Sequence, residues 1–156
     1  MASLNIAELL GEELIIDDLK GASKLDVLRE FSELLYANRK VEDREGLTRV
    51  LAAREALGST GIGDGVAIPH GKLRQLKGVV LAFGRSKKGV DFDSLDGEPA
   101  HLFFLLVAPE DAPGEHLKAL ARISRLMKDG RLRHSLMQAG GRKEIRSLLA
   151  GEEARL

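Results

Sequence analysis

The stretch "STGIGDGVAIPHGKL", Ser59 to Leu73, places a histidine directly after a proline and behind glycines at 61, 63 and 65, in a chain with only four histidines. A neutral imidazole is a competent nucleophile near neutral pH and can carry a covalent intermediate. To attack phosphorus, one ring nitrogen of His70 must be unprotonated while the other donates to a fixed acceptor, most often a backbone carbonyl. Pro69 restrains the approach of the chain to His70, and Gly71 is expected to leave room for a second protein surface. Arg54 and Lys72 are candidates to supply positive charge to a phosphoryl group.

Gly58, Gly61, Gly63 and Gly65 remove side chains where backbone amides could converge on an anion, and Ser59 and Thr60 add hydroxyl donors. Ser59, Thr60, Gly61 and Gly63 are therefore the expected phosphate-binding set. The segment is not a P-loop, which ends Gly-Lys-Ser/Thr where this one ends "IPHGKL". Nor does it fit the dinucleotide fingerprint, since no long apolar strand feeds it and no helix opens from it. On glycine content alone a plain tight loop is an equal reading, and a lone histidine is more often structural than catalytic. The combination of loop, proline and neighbouring charge favours the nucleophile. A divalent-metal site from His70, His116 and Asp64 is the rival chemistry, but no His-x-x-x-His pattern supports it. Neither metal nor cofactor is expected.

These residues need a frame. "SLNIAELLG" reads as a short helix with Ser3 as N-cap, and "ELIIDDL" as a first strand. "SKLDVLREFSELLYANR" is a helix: Ser23 and Asp26 resemble a capping box, and Leu28, Phe31 and Leu35 recur at helical spacing. "VEDREGLTRVLAAREAL" is a second, stopped by Gly58. Residues 58–65 read as a loop and "VAIP" as an extended piece, because Ile68 precedes a proline. "KGVVLAFGRS" and "HLFFLLVAP" read as strands, the second apolar enough to be central and covered on both faces. "PGEHLKALARISRLMK", "RLRHSLMQAG" and "RKEIRSLLAG" complete the helices, the first opened by Pro113. Strands mixed with helices in this order imply a layered α/β domain.

At 156 residues and 44% hydrophobic composition the chain is long enough for one domain with a substantial core. It has no cysteine, which excludes disulfides, thiolate metal sites and cysteine nucleophiles. Formal charge is zero, yet residues 1–48 hold 11 acids and 6 bases while residues 114–156 hold 5 acids and 10 bases. That basic third has no Phe, Tyr or Trp for stacking on bases, and its charges fall at the spacing of solvated helix faces; nucleic acid is not an expected partner. The N-terminus lacks the basic start of a signal peptide, and the longest apolar run falls short of the ~20 residues a membrane span needs. A soluble, cytoplasmic protein without membrane insertion is expected.

"REALGSTGIGDGVAIPHGKL" resembles the active-site signature of enzyme IIA domains of the phosphoenolpyruvate-dependent phosphotransferase system, in the fructose/mannitol superfamily and most like its nitrogen-regulatory branch. "VDFDSLDGEPAHLFFLLVAP" and "EHLKALARISRLMKD" extend the likeness over nearly the whole chain. The resemblance implies one type-2 enzyme IIA domain over residues 1–156, with a mixed sheet of about five strands flanked by helices. It implies that His70 accepts a phosphoryl group from an HPr-type phosphocarrier protein and passes it on, to an enzyme IIB or as a signal to a regulatory target. It also implies that His116 supports His70 and that Arg54 stabilises charge. Local physics agrees for His116, because the first turn of a helix disfavours imidazolium and favours an anion. His101 and His134 match nothing functional in the family. Two other functions stay open: a non-catalytic anion-binding or regulatory module, and a sugar-uptake enzyme IIA working with separate IIB and IIC proteins.

Overall fold

The computed structural model describes residues 5–156. Its frame is a mixed sheet whose central strand is the most apolar stretch of the chain. That strand, β6 (Ala100–Pro109), is antiparallel to β5 (Val80–Val90), which in turn pairs in parallel with the two-residue β1 (Ile15–Ile16). Along the other edge of β6 run β3 (Val66–Ala67) and then β4 (His70–Leu73), both parallel to it, and β2 (Gly61–Gly63) lies antiparallel outside β3. Six strands result where about five were expected.

The alternation of β6 explains the layers. Leu102, Phe104 and Leu106 pack into one core with α1 (Ile6–Leu9), α4 (Pro113–Leu126), α5 (Gly130–Gln138) and α6 (Arg142–Glu153). Phe103, Leu105 and Val107 face the opposite core with α2 (Lys24–Ala37) and α3 (Arg44–Leu57). Each such side chain contributes about 1.5–3 kcal/mol when fully buried. Edge-on aromatic pairs lock both faces: Phe83 on Phe104 at 5.0 Å between centroids, and Phe92 on Phe103 at 5.2 Å.

Helix starts follow the side chains that satisfy their free amides. Ser23 accepts from Asp26 N at the head of α2, Asp43 from Gly46 N at the head of α3, and Pro113 opens α4. The expected Ser3 cap lies outside the described residues; within them, Asn5 caps α1 by accepting from Glu8 N. The first strand is shorter than "ELIIDDL", because Glu12–Leu14 form a 3-10 turn before Ile15.

The glycine segment is not a plain loop. Asp64 and Gly65 take φ of 58° and 76° between the paired Gly63 and Val66, so they form a two-residue hairpin turn that folds β2 onto β3. Beyond it, β3 and β4 follow one edge of β6 and are separated at Pro69, which has no N–H to give a ladder. His70 consequently opens a strand in the sheet instead of standing in a loop. Gly71 is also placed differently from expectation. It is buried, and a Cβ there would sit 2.7 Å from Val50 Cγ1 of α3, so its smallness serves helix-on-strand packing and not a partner surface.

This close approach predicts that Gly71→Ala destabilises the fold by about 1–3 kcal/mol, the cost of overpacking a stiff β-branched neighbour. Urea unfolding of Gly71→Ala, Val50→Ala and the double variant checks it. The double variant should be more stable than the sum of the singles predicts; strict additivity would exclude the contact as the cause.

Candidate active site

His70 is held by the backbone on both sides of Pro69. Ile68 N–H donates to Thr60 O at 3.0 Å, and Leu106 N–H donates to Pro69 O at 3.0 Å. The His70 ring then turns back on its own chain, with Nδ1 2.7 Å from Ile68 O. A carbonyl only accepts, so the proton sits on Nδ1 and the lone pair on Nε2. The residue is half-buried. Four residues past the end of β6, Pro113 starts α4 and brings His116 into its first turn. The His116 side chain is buried, and Nε2 has no hydrogen-bond partner among the described residues. The two rings stand edge to face, 5.2 Å between centroids at 77°.

Burial is the main force on both rings. It pushes His70 below the usual histidine range, with Arg54 and Lys72 adding repulsion; the Ile68 hydrogen bond and the Glu55 charge pull the other way. His116 is lowered by burial first, then by His70 and Lys72. Both rings are thus neutral near pH 7, the form that carries a nucleophilic lone pair.

Arg54 sits in the last turn of α3, where Nη1 donates to Gly58 O at 2.8 Å, and its charge reaches His70. The four loop residues expected to bind phosphate are arranged otherwise. Ser59 Oγ donates to Phe92 O and accepts from Gly61 N, while the Thr60 hydroxyl and N–H both go to the Glu55 carboxylate. The Asp64 N–H goes to Asp96 Oδ2, and Gly63 lies in β2. These donors are taken up mainly by α3 and the 91–99 connection, which satisfy the groups that the segment buries as it becomes a strand pair. His70, His116, Arg54 and Lys72 come together; the hydroxyls of Ser59 and Thr60 do not point to an open site.

Among the apolar side chains of this segment, Ile62 is exposed, Leu73 half-buried and Val66 fully in the core. His101 Nδ1 donates to Ser86 O, and His134 is exposed on α5. Asp64 occupies the hairpin turn, and no three His, Asp or Glu side chains converge as metal ligands among the described residues. Sequence reasoning missed Glu55 and Lys24. Glu55 is 8% exposed and receives Lys24 Nζ at 3.1 Å, and Lys24 also bonds Asp93. The signal was present: Glu55 continues the i, i+4 line of Leu47 and Leu51, an acid on an apolar stripe.

A family model described as "Phosphoenolpyruvate-dependent sugar phosphotransferase system, EIIA 2" matches residues 8–151. The chain belongs to that family and is a phosphotransferase component. It is 42% identical to a nitrogen regulatory protein of Bradyrhizobium diazoefficiens, over 93% of this chain and 94% of that one. It is 41% identical to the fructose-specific EIIABC component of Bacillus subtilis over 87% of this chain, which spans only 21% of that protein. The crystal structure of nitrogen regulatory protein IIA-Ntr from Neisseria meningitidis superposes with a TM-score of 0.86 at 38% identity, covering 92% of this chain and 98% of that one. No helix among the described residues is long and apolar enough to cross a membrane.

Depressed midpoints have a definite sign in the pH dependence of stability. The native imidazoles take up protons at lower pH than the unfolded chain does, so they cost nothing well above pH ~6.5 and erode stability as pH falls through the interval below it. Imidazole NMR titration is expected to place both midpoints below 6.5, the ordinary histidine value. In Arg54→Gln the His70 midpoint should rise, since one repulsive charge is gone. A wild-type midpoint at or above 6.5 contradicts the burial argument.

Proposed function

We propose that His70 is the phosphoryl acceptor of this phosphotransferase component, with Nε2 the attacking atom. The observation that carries this reading is the 2.7 Å hydrogen bond from His70 Nδ1 to Ile68 O, which leaves Nε2 unprotonated beside a second neutral imidazole. The donor is an HPr-type phosphocarrier bearing a phosphohistidine. As the Nε2 lone pair forms the new P–N bond, the donor's P–N bond breaks and the donor nitrogen keeps its electron pair. No proton changes hands: the charge that develops on the His70 ring is stabilised by Nδ1–H donating to Ile68 O. His116, whose Nε2 has no partner among the described residues, hydrogen-bonds or orients the incoming group, and Arg54 and Lys72 offset its negative charge. Ser59, Thr60, Gly61 and Gly63 serve by holding the hairpin in place. Positioning and fixed dipoles carry the step, without a metal ion.

A regulatory role is favoured over sugar uptake by 42% identity along nearly the full length of a nitrogen regulatory protein. In that role phosphorylation acts as a surface switch. A phosphoryl group brings close to two negative charges and three acceptor oxygens to one spot on the surface, and partners read the charge. The downstream partner is a regulatory target or an enzyme IIB, the latter suggested by the A, B and C parts that share one chain in the Bacillus relative. The protein acts in the cytoplasm as a single domain.

Incubation with phosphoenolpyruvate, enzyme I and an HPr-type protein, followed by intact mass measurement, tests the reading. The wild type should gain one phosphate, labile to acid and stable to base, and His70→Ala should gain none. A His70→Ala variant phosphorylated to the wild-type extent sinks the assignment. His116→Ala should still accept phosphate but exchange it about 10–1000-fold more slowly, the loss of one electrostatic partner. Complete loss of acceptance by folded His116→Ala would move the primary site to His116.

A further inference from the structure

An unbroken series of hydrogen bonds runs from a partly buried ion pair to the ring of His70. Lys24, in the first turn of α2, places Nζ 3.1 Å from Glu55 Oε2. Both oxygens of Glu55 then engage Thr60: Oε1 accepts from its hydroxyl and Oε2 from its N–H. Thr60 O accepts from Ile68 N–H at 3.0 Å, and Ile68 O accepts from His70 Nδ1 at 2.7 Å. Glu55 and Thr60 are 8% and 4% exposed, so little solvent competes for these bonds.

We propose that Glu55, braced by Lys24 and acting through Thr60, is the positioning residue that fixes the Ile68 carbonyl and thereby the reactive tautomer of His70. This rests on His70 being the phosphoryl acceptor. Glu55 does not touch the ring; its part is to decide where the ring's acceptor stands. The edge of the sheet cannot do this alone, since Pro69 interrupts the ladder between β3 and β4 just where the carbonyl must be held. The carboxylate supplies what the ladder lacks, a rigid two-oxygen acceptor joining the end of α3 to the hairpin. A buried carboxylate with all its bonds made is an expensive feature to keep, and positions of that kind resist replacement by a neutral side chain. Lys24 limits the cost: it neutralises Glu55, bonds Asp93, and lies 5.2 Å over the Phe92 ring, tying the 91–99 connection to the same anchor. The charge of Glu55 also reaches His70, where it favours the charged ring and so partly offsets burial. That is useful as positive charge develops on the ring during transfer.

The test uses the full chain with Thr60→Val, Thr60→Ser and Glu55→Ala. Thr60→Val is nearly isosteric and removes only the hydroxyl donor, so it reports even if Glu55→Ala fails to fold. Two readouts are taken: the 15N imidazole spectrum of His70 above its titration, and the steady-state rate of phosphoryl transfer from a phosphorylated HPr-type protein. In the wild type the Nδ1–H tautomer should dominate. Thr60→Val and Glu55→Ala should give a mixture of tautomers and lower the maximal transfer rate about 10–100-fold with little change in KM, the cost of a small displacement of a reacting group. Thr60→Ser, which keeps the hydroxyl, should restore the tautomer and most of the rate. Folded Thr60→Val and Glu55→Ala proteins that keep a pure Nδ1–H tautomer overturn the proposal. A mixed tautomer at an unchanged rate overturns it too. The tautomer readout needs no phosphorylation. Failure of the wild type to accept phosphate on His70 would therefore strike the functional reading, and an unmoved spectrum the positioning role.

Discussion

The bond between His70 Nδ1 and the Ile68 carbonyl, two residues back along the chain, is the contact on which the chemistry of this site depends. An imidazole in water exchanges between two neutral tautomers and a cation. Against a carbonyl, which has no proton to give, only Nδ1–H is compatible, and Nε2 is left as a base and nucleophile. The surrounding fold can be understood as a device for holding that carbonyl still. Pro69 removes one amide from the ladder, Leu106 takes the Pro69 carbonyl, and Thr60 takes the Ile68 amide. Gly71 lets α3 close down on β4 directly behind the ring.

Two opposing demands meet here. Burial keeps both rings neutral and water-poor, which suits attack and protects a phosphoryl group from hydrolysis. It also strips His116 Nε2 of any partner among the described residues, a loss worth about 1–3 kcal/mol for a buried polar atom. Natural folds leave few such atoms unpaired, and those that persist call for a reason. On the reading proposed above, an incoming phosphoryl group flanked by Arg54 and Lys72 would supply one. Lys72 disfavours protonation of both histidines, and Arg54 that of His70.

Much of this could be read from residue order alone, and for traceable reasons. The unbroken apolar run "HLFFLLVAP" marks a strand covered on both faces, and its alternate residues do enter two separate cores. Ser23 and Pro113 marked helix starts through their local chemistry. The hairpin is obscured by its glycine-rich surroundings, although the Asp64-Gly65 pair is a two-residue turn signal in its own right. Ser59 and Thr60 look like open donors in the sequence, which shows which groups can donate but not which acceptors lie within reach. Glu55 was invisible for the same reason: the buried carboxylate that claims Thr60 gains meaning only once α3 and the hairpin are seen together. The pairing of His70 with His116, 46 positions apart, depends on β4 and β6 running parallel, a property of topology.

The most direct measurement is the identity of the phosphorylated nitrogen. Long-range 1H–15N and 31P spectra of the 15N-labelled, phosphorylated protein distinguish the four ring nitrogens of His70 and His116. With the tautomer held by Ile68, the phosphoryl group should appear on Nε2 of His70, with Nδ1 still carrying its proton. A phosphoryl group on Nδ1 of His70, or on either nitrogen of His116, would contradict the claim that one backbone carbonyl sets the reactive atom.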